Sequence, residues 1–158
     1  MAAALALFVL SGCQSFTPLD EQCTYEVLTG MCILDEKRPT DHDLVRQAVS
    51  LYARELPRLT SRECTEQDIL DVIGTLVVEF LPDVFEYGDM TCSGLYWHGG
   101  LLQVAWPYPY KICRTSLFHE LHHAMDEMLF GAPTDYRHAD VEYWHTVDQL
   151  KDSCKEQI

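Results

Sequence analysis

Four stretches of this chain place apolar residues at the spacing of an α-helix. The first follows Thr40-Asp41, a polar pair suited to capping a helix, and its pattern stops at Pro57. A second, shorter helix is predicted from a cap at Thr65 to an interruption at Gly74. The apolar positions of the first helix are Leu44, Val45, Ala48, Val49, Tyr52 and Leu56.

Two further runs have the composition of β-strands. Residues 75–80 (TLVVEF) and 101–106 (LLQVAW) are rich in β-branched, aliphatic and aromatic side chains. Between them, residues 83–100 contain four glycines and are predicted to form turns. The strand over 101–106 could lie at the edge of a sheet, where an extended peptide can pair with it, or in the interior.

The last two helical stretches lie in the C-terminal part of the chain. Thr115 or Ser116 can cap a helix whose apolar stripe continues to the break at Gly131 and Pro133. A final helix is predicted from near Ala139 to about residue 155. With 158 residues and this order of elements, the sequence predicts one α+β domain with a small sheet.

The N-terminus has the pattern of an export signal. Residues 1–12 contain an apolar run and then small residues, as in a signal peptide, and the run is too short to cross a bilayer. The end of this segment, Leu10-Ser11-Gly12-Cys13, resembles the bacterial lipobox, which implies that Cys13 is lipidated and anchors the protein to a membrane. An ordinary signal peptide or a buried apolar N-terminus are the alternatives.

Charge and cysteine content narrow the possible partners and compartment. Twenty-five acidic and eleven basic residues give a net charge of −14, which argues against nucleic acid as a partner. Beyond Cys13, six cysteines remain, an even number that in an exported chain suggests up to three disulfides of undetermined pairing. Free thiols are the alternative if the chain is not exported. The six are Cys23, Cys32, Cys64, Cys92, Cys113 and Cys154.

The predicted helix after Ser116 carries the motif H-E-x-x-H at His119-Glu120-Leu121-His122-His123. Residues four apart lie about one turn apart on one helix face, so His119 and His123 can bind one zinc ion. Glu120 would then act as general base on a zinc-bound water. The alternative is a surface helix that carries histidines by chance. His122 would lie on a different face of the helix, where it would be solvated or would support a metal ligand. Asp126 would be an exposed acid or, as the less favoured alternative, would orient one of the imidazoles.

The third zinc ligand must come from downstream, because catalytic zinc sites have three protein ligands. His138, Glu142 and Asp135 are the candidates, and spacing alone does not separate them. A donor to the oxyanion of the transition state is also required. The side chains available for that role are Tyr108, Tyr110, Tyr143 and His145, and the sequence does not choose among them.

The residues His119, Glu120 and His123 resemble the signature of the zincin metallopeptidases. The resemblance implies a zincin-like α+β domain with its small sheet packed on the active-site helix, followed by a C-terminal helix. It also implies zinc as cofactor and a peptide or protein as substrate. The metzincin branch is excluded, because Asp126 and Leu129 stand where that branch requires a glycine and a third histidine.

Two more specific resemblances suggest different third ligands. In minigluzincins this ligand is a glutamate on a following helix, which Glu142 matches, although Thr146 replaces the usual downstream aspartate. Residues 75–145 also resemble small bacterial lipoproteins with an H-E-L-x-H motif and a histidine shortly before a tryptophan, here His138 and Trp144. This resemblance ranks His138 first and Glu142 second.

Together these features predict a lipid-anchored peptidase of the bacterial cell envelope, on its periplasmic face, or a secreted one. Residues 1–12 would be the signal peptide, residues 13–39 a lipidated N-terminus, tether and disulfide-stapled segment, and residues 40–158 the zincin-like domain. The alternative is a non-catalytic binding or structural lipoprotein of the same fold.

Overall fold

The computed structural model of this protein describes residues 23, 25–27, 30–34, 37, 39–107, 111–132 and 141–158. The predicted signal peptide, the lipobox with Cys13 and the candidate ligands Asp135 and His138 lie outside these residues. The described part is a mixed α and β domain with four α-helices, a small sheet and two disulfides.

The helices are α1 (His42–Leu59), α2 (Glu66–Ile73), α3 (Leu117–Met128) and α4 (Val141–Gln157). Each lies where the apolar spacing predicted one. Asp41 caps α1 by accepting hydrogen bonds from two backbone N–H groups, both at 3.1 Å. Thr65 and Asp68 cap α2 reciprocally, each side chain accepting from the other residue's backbone N–H. Within the described residues, no helix combines the length and apolar character needed to cross a bilayer.

The predicted end of α1 at Pro57 is wrong, because the helix continues to Leu59. Proline removes one backbone hydrogen bond from a helix, yet the flanking Leu56 is fully buried in the core. The carbonyl of Leu56 also accepts the N–H of Thr60 at 3.0 Å, which closes the last turn. Packing of this turn on the core outweighs the single missing bond.

The main sheet has five strands in the order β1-β2-β3-β7-β6. They are β1 (Tyr25–Val27), β2 (Met31–Leu34), β3 (Val77–Leu81), β6 (Gly94–Trp97) and β7 (Leu101–Ala105). Strands β2, β3 and β7 are parallel, whereas β1 and β6 are antiparallel to their neighbours. The two predicted strands are confirmed as β3 and β7. Because β6 pairs with β7, the strand over 101–106 is interior, and β6 forms the sheet edge nearest α3.

Five short strands were not predicted. Strands β1 and β2 fall in the segment interpreted as a tether, and β6 falls in the turn-rich region together with the hairpin β4 (Phe85–Tyr87) and β5 (Met90–Cys92). Each has only three or four residues, too few to show a period. β2 is held by pairing with β3, from Cys32 opposite Val77 to Leu34 opposite Glu79, a contact that no local pattern reveals.

Two disulfides close the fold at opposite ends of the described chain. Cys23 pairs with Cys32 of β2, and Cys113 pairs with Cys154 of α4. Cys64 and Cys92 are free thiols. Since Cys113 lies in a short 3₁₀ turn (Ile112–Arg114) just before α3, the second disulfide ties the last helix to the start of the motif-bearing helix.

Candidate metal centre

Helix α3 brings the imidazoles of His119 and His123 together on one face. Their Nε2 atoms lie 3.1 Å apart, and the rings meet nearly edge to face with centroids 4.5 Å apart. A spacing of four residues is about one helical turn, so the helix backbone itself places the rings side by side. With Glu120 they form a group whose possible donor atoms all lie within 4.8 Å of one another.

This pair of nitrogens fits zinc. Two nitrogen ligands of a tetrahedral zinc ion, each at about 2.0–2.1 Å, are about 3.3 Å apart. The 3.1 Å between the two Nε2 atoms is close to that value. His123 is buried and His119 is partly exposed, so an ion shared by the two would be reached from the His119 side.

Tyr143 of α4 fixes the orientation of His119. Its hydroxyl donates to the backbone carbonyl of His119 at 3.1 Å and lies 3.0 Å from Nδ1 of the same residue. A phenol has one proton to donate, so with the carbonyl receiving that proton the hydroxyl accepts the Nδ1 proton. His119 then keeps its lone pair on Nε2, the nitrogen that faces His123. Trp144 stacks on the His119 ring, with centroids 4.9 Å apart and an interplanar angle of 9°.

The Glu120 carboxylate is buried between α3 and the edge strand β6. Its Oε1 lies 4.0 Å from Nε2 of His119, and the backbone N–H of Tyr96 donates a hydrogen bond to it. Burial raises the pKa of Glu120 to about 8, against the lowering effects of the Tyr96 N–H and of Lys151. Gly94 of β6 provides the space, because a Cβ there would collide with Oε1 of Glu120 and Oγ of Ser116.

A hydrogen bond at the start of α3 holds the helix against the same strand. The Ser116 hydroxyl donates to the carbonyl of Ser93 at 2.6 Å, so it is not used to cap α3. The Thr115 hydroxyl instead accepts the backbone N–H of Leu117 at 3.2 Å. The motif helix and the edge strand are therefore joined at two points, through Ser116 and through Glu120.

The opposite face of α3 is buried, which corrects two expectations. His122 is not solvated: it is 6% exposed, its Nδ1 lies 3.1 Å from the hydroxyl of Tyr52, and burial together with nearby His123 lowers its pKa to about 4. Asp126 is not an exposed acid, because it is 2% exposed and pairs with Arg62 at 3.3 Å. Helix α3 lies between the sheet on one side and α2 and α4 on the other, so its polar residues need buried partners.

The described residues do not bring a candidate third ligand to His119 and His123. His138 and Asp135 lie outside the described residues. Glu142 is exposed on α4 and lines a separate polar cavity of about 240 Å³ together with His122 and Asp126. Among the residues that the structure describes, the only group of three possible metal donors is His119, Glu120 and His123. His138 therefore stays a prediction.

The role of Tyr143 was not found from the sequence. It was one of four candidates for an oxyanion donor, and the structure places its hydroxyl on His119 instead. Of the other three, His145 is exposed, and Tyr108 and Tyr110 lie outside the described residues. No local signal indicated the Tyr143 contact, because it depends on how α4 packs across α3.

A cavity of about 430 Å³ opens beside His119, and we call it the His119 cavity. Its wall is formed by the end of β7, the start of α3 and the facing side of α4. The volume lies within the range of about 300–1,000 Å³ that is typical of small-ligand sites. Since His119 itself is part of the wall, a molecule bound in this cavity would lie next to the candidate metal centre.

Comparison of the chain with known protein families, with curated proteins and with solved structures finds no match.

Proposed function

We propose that this protein is a zinc-dependent peptidase with a zincin-like fold. The observation that carries the proposal is the 3.1 Å approach of the His119 and His123 Nε2 atoms next to the buried Glu120 carboxylate. In this proposal His119 and His123 hold the ion, and His138 supplies the third ligand, with Glu142 as the alternative. Bound zinc would act as a Lewis acid and lower the pKa of a water molecule toward neutrality.

Glu120 is the proposed general base. It removes a proton from the attacking water and delivers that proton to the nitrogen of the leaving amine as the peptide bond breaks. Its place on α3 supports this role, because Oε1 lies 4.0 Å from His119 Nε2, on the side of the edge strand. The nearby cationic ion would favour the ionised carboxylate, which opposes the effect of burial on its pKa.

The edge strand β6 supports a peptide as the substrate. It is antiparallel to β7 at the end of the sheet, and its backbone passes directly beside Glu120. Extended peptides bind to sheet edges by adding a strand, with the main chain supplying the hydrogen bonds. A peptide that follows β6 would therefore carry its backbone past the base.

The disulfides support an exported protein. Disulfides persist in oxidising compartments such as the bacterial periplasm and are rare in the cytosol. The Cys23–Cys32 and Cys113–Cys154 pairs are consistent with this location. They support the export part of the proposal, in which the peptidase lies in the bacterial cell envelope and lipidated Cys13 anchors it at the membrane surface.

The decisive experiment is the Glu120→Gln substitution. We expect the variant to retain stoichiometric zinc, measured by elemental analysis, and to lose at least about 100-fold in the rate of hydrolysis of a fluorogenic peptide library. Glu127→Gln is the matched control, because Glu127 lies on the same helix and pairs with His98. Full activity in Glu120→Gln would rule out the proposed base. Zinc binding without any hydrolysis in the parent would favour a binding or structural lipoprotein instead.

A further inference from the structure

The His119 cavity combines apolar walls with a concentration of positive charge. Val84, Trp106 and Trp144 contribute apolar and aromatic surface, and Trp144 is also the ring stacked on His119. Three cations line the same space, Lys111 before α3, Arg114 in the 3₁₀ turn and Lys151 on α4, and the described lining contains no carboxylate. Three of the eleven basic residues of the chain thus line one cavity, although the net charge of the chain is −14.

Two of the cations in this cavity, Arg114 and Lys151, differ from most other cations of the described chain. Six of those others pair with carboxylates, namely Lys37, Arg46, Arg54, Arg58, Arg62 and Lys155. Among the described residues, neither Arg114 nor Lys151 has a carboxylate within ion-pair distance. Lys151 acts on the buried Glu120 carboxylate only from beyond ion-pair distance, and neither charge is neutralised by a direct ion pair within the described residues. Both can therefore bind an anionic ligand.

The net negative charge of the protein makes this positively charged cavity selective for where an anion binds. An acidic protein repels anions in general, and only a local excess of positive charge can attract one to a defined place. Arg114 is exposed and Lys151 is half-buried at the wall, so both can reach an anion while their hydrocarbon stems cover the apolar floor. A guanidinium is especially suited to a carboxylate, because its planar donors match the two oxygens.

We propose that the His119 cavity is a substrate subsite that binds a carboxylate carried by an apolar peptide segment. This inference rests on the proposed peptidase function, and it specifies which peptides the enzyme selects. The carboxylate can be an acidic side chain next to the cleaved bond or the free C-terminus of a short peptide. Both present the same anion to Arg114 and Lys151.

Binding can be tested without hydrolysis in the Glu120→Gln protein loaded with zinc. Four N-acetylated probes separate the two sources: Ala-Ala-Phe-Glu-Ala amide against its glutamine counterpart, and Ala-Ala-Phe as free acid against its amide. We expect the acidic member of at least one pair to bind at least about fivefold more tightly by calorimetry, and less tightly at 0.5 M than at 0.05 M salt.

The paired substitution Arg114→Gln and Lys151→Gln should remove this preference. The matched control is Lys155→Gln, one turn further along α4, where the lysine pairs with Asp152 at 2.8 Å and does not line the cavity. The control should keep the preference. A glutamate-specific gain identifies a side-chain carboxylate as the ligand, and a gain confined to the free acid identifies a C-terminus.

Several results would overturn the inference. These are equal binding of acidic and neutral probes, no saturable binding of any probe, or an equal loss in Lys155→Gln. Hydrolysis of the same peptides by the parent protein is measured separately. Preference for acidic probes without any hydrolysis would support the subsite and count against the peptidase function. Hydrolysis without that preference would support the peptidase function and count against the subsite.

Discussion

At the scale of single residues, the Tyr143 hydroxyl selects the tautomer that His119 would need in order to bind a metal ion. A metal ligand needs its free lone pair on the nitrogen that faces the ion, and a hydrogen bond from the other ring nitrogen selects that tautomer. Tyr143 provides this bond at 3.0 Å and holds the backbone of the same residue at 3.1 Å. Tyr143 is thus a positioning residue in the proposed centre.

Replacing Tyr143 with phenylalanine should lower zinc affinity. The change removes the hydroxyl and keeps the ring, and loss of such a partner typically costs about 10- to 100-fold in metal affinity. Competition with a chelator measures the effect. Tyr52→Phe is the matched control, because it removes a hydroxyl 3.1 Å from Nδ1 of His122, a histidine that faces away from the centre. Equal affinity in the parent and in Tyr143→Phe would contradict the assigned role.

The absence of a side chain at Gly94 should be needed for activity. In Gly94→Ala the new Cβ collides with Glu120 Oε1 and Ser116 Oγ and would lie 2.7 Å from Ser116 Cβ. The Ser116 Cβ is fixed to the backbone at the start of α3, so the strand or the helix must shift. We therefore expect a loss of stability of about 1–3 kcal/mol and a 10- to 100-fold fall in kcat/KM, with zinc retained. Gly88→Ala is the control for kcat/KM, since a Cβ there meets nothing within 4 Å, although the positive φ of Gly88 means that alanine costs some stability. Unchanged kcat/KM in Gly94→Ala would show that the carboxylate position is not critical.

At the scale of elements, the site depends on the packing of α4 across α3. Helix α4 contributes Tyr143 and Trp144 to His119, and Lys151 to the His119 cavity. Its C-terminal half is fixed by the buried Cys154, which is bonded to Cys113 immediately before α3. The disulfide therefore adds a covalent link to the packing that fixes α4 relative to α3.

Removing this disulfide should affect stability and the site together. The bond closes a loop of 41 residues, for which the loss of unfolded-chain entropy stabilises the fold by about 2–4 kcal/mol. We expect Cys113→Ala/Cys154→Ala to lower the urea unfolding free energy by that amount and to weaken zinc binding, because α4 is less firmly held. Cys92→Ala, which removes a free thiol, should change neither. Unaltered zinc affinity in the double variant would show that zinc binding does not depend on how firmly α4 is held.

At the scale of the whole molecule, the proposed zinc binding would be coupled to folding. The proposed third ligand, His138, lies ten residues beyond Met128 at the end of α3, so the complete site would exist only in the folded chain. Zinc at about 100 times its dissociation constant should then raise the unfolding free energy by about 2.7 kcal/mol. EDTA should reverse the increase.

The zinc-dependent increase in the unfolding free energy also tests the proposed ligands. His119→Ala/His123→Ala should abolish the gain in stability with zinc, and His138→Ala should reduce it strongly because two ligands hold zinc poorly. His145→Ala is the control, because His145 is exposed on α4. A zinc-dependent gain that survives the double substitution would place the ion elsewhere.

Much of this arrangement can be predicted from local sequence patterns. The positions of all four helices and of the central strands β3 and β7 follow from apolar spacing and from the caps at Asp41 and Thr65. The convergence of His119 and His123 follows from the helix alone, since a spacing of four residues fixes the faces of both rings. These features are set by the geometry of one segment, so no distant contact is needed to predict them.

How these segments meet depends on contacts between distant parts of the folded chain. The contact between Tyr143 and His119 spans 24 residues, the Cys113–Cys154 disulfide spans 41, and the pairing of β2 with β3 brings together segments more than 40 residues apart. The cations of the His119 cavity likewise come from two separate regions of the chain. Such contacts depend on the closure of long loops and on packing of the whole core, which a periodic pattern does not encode.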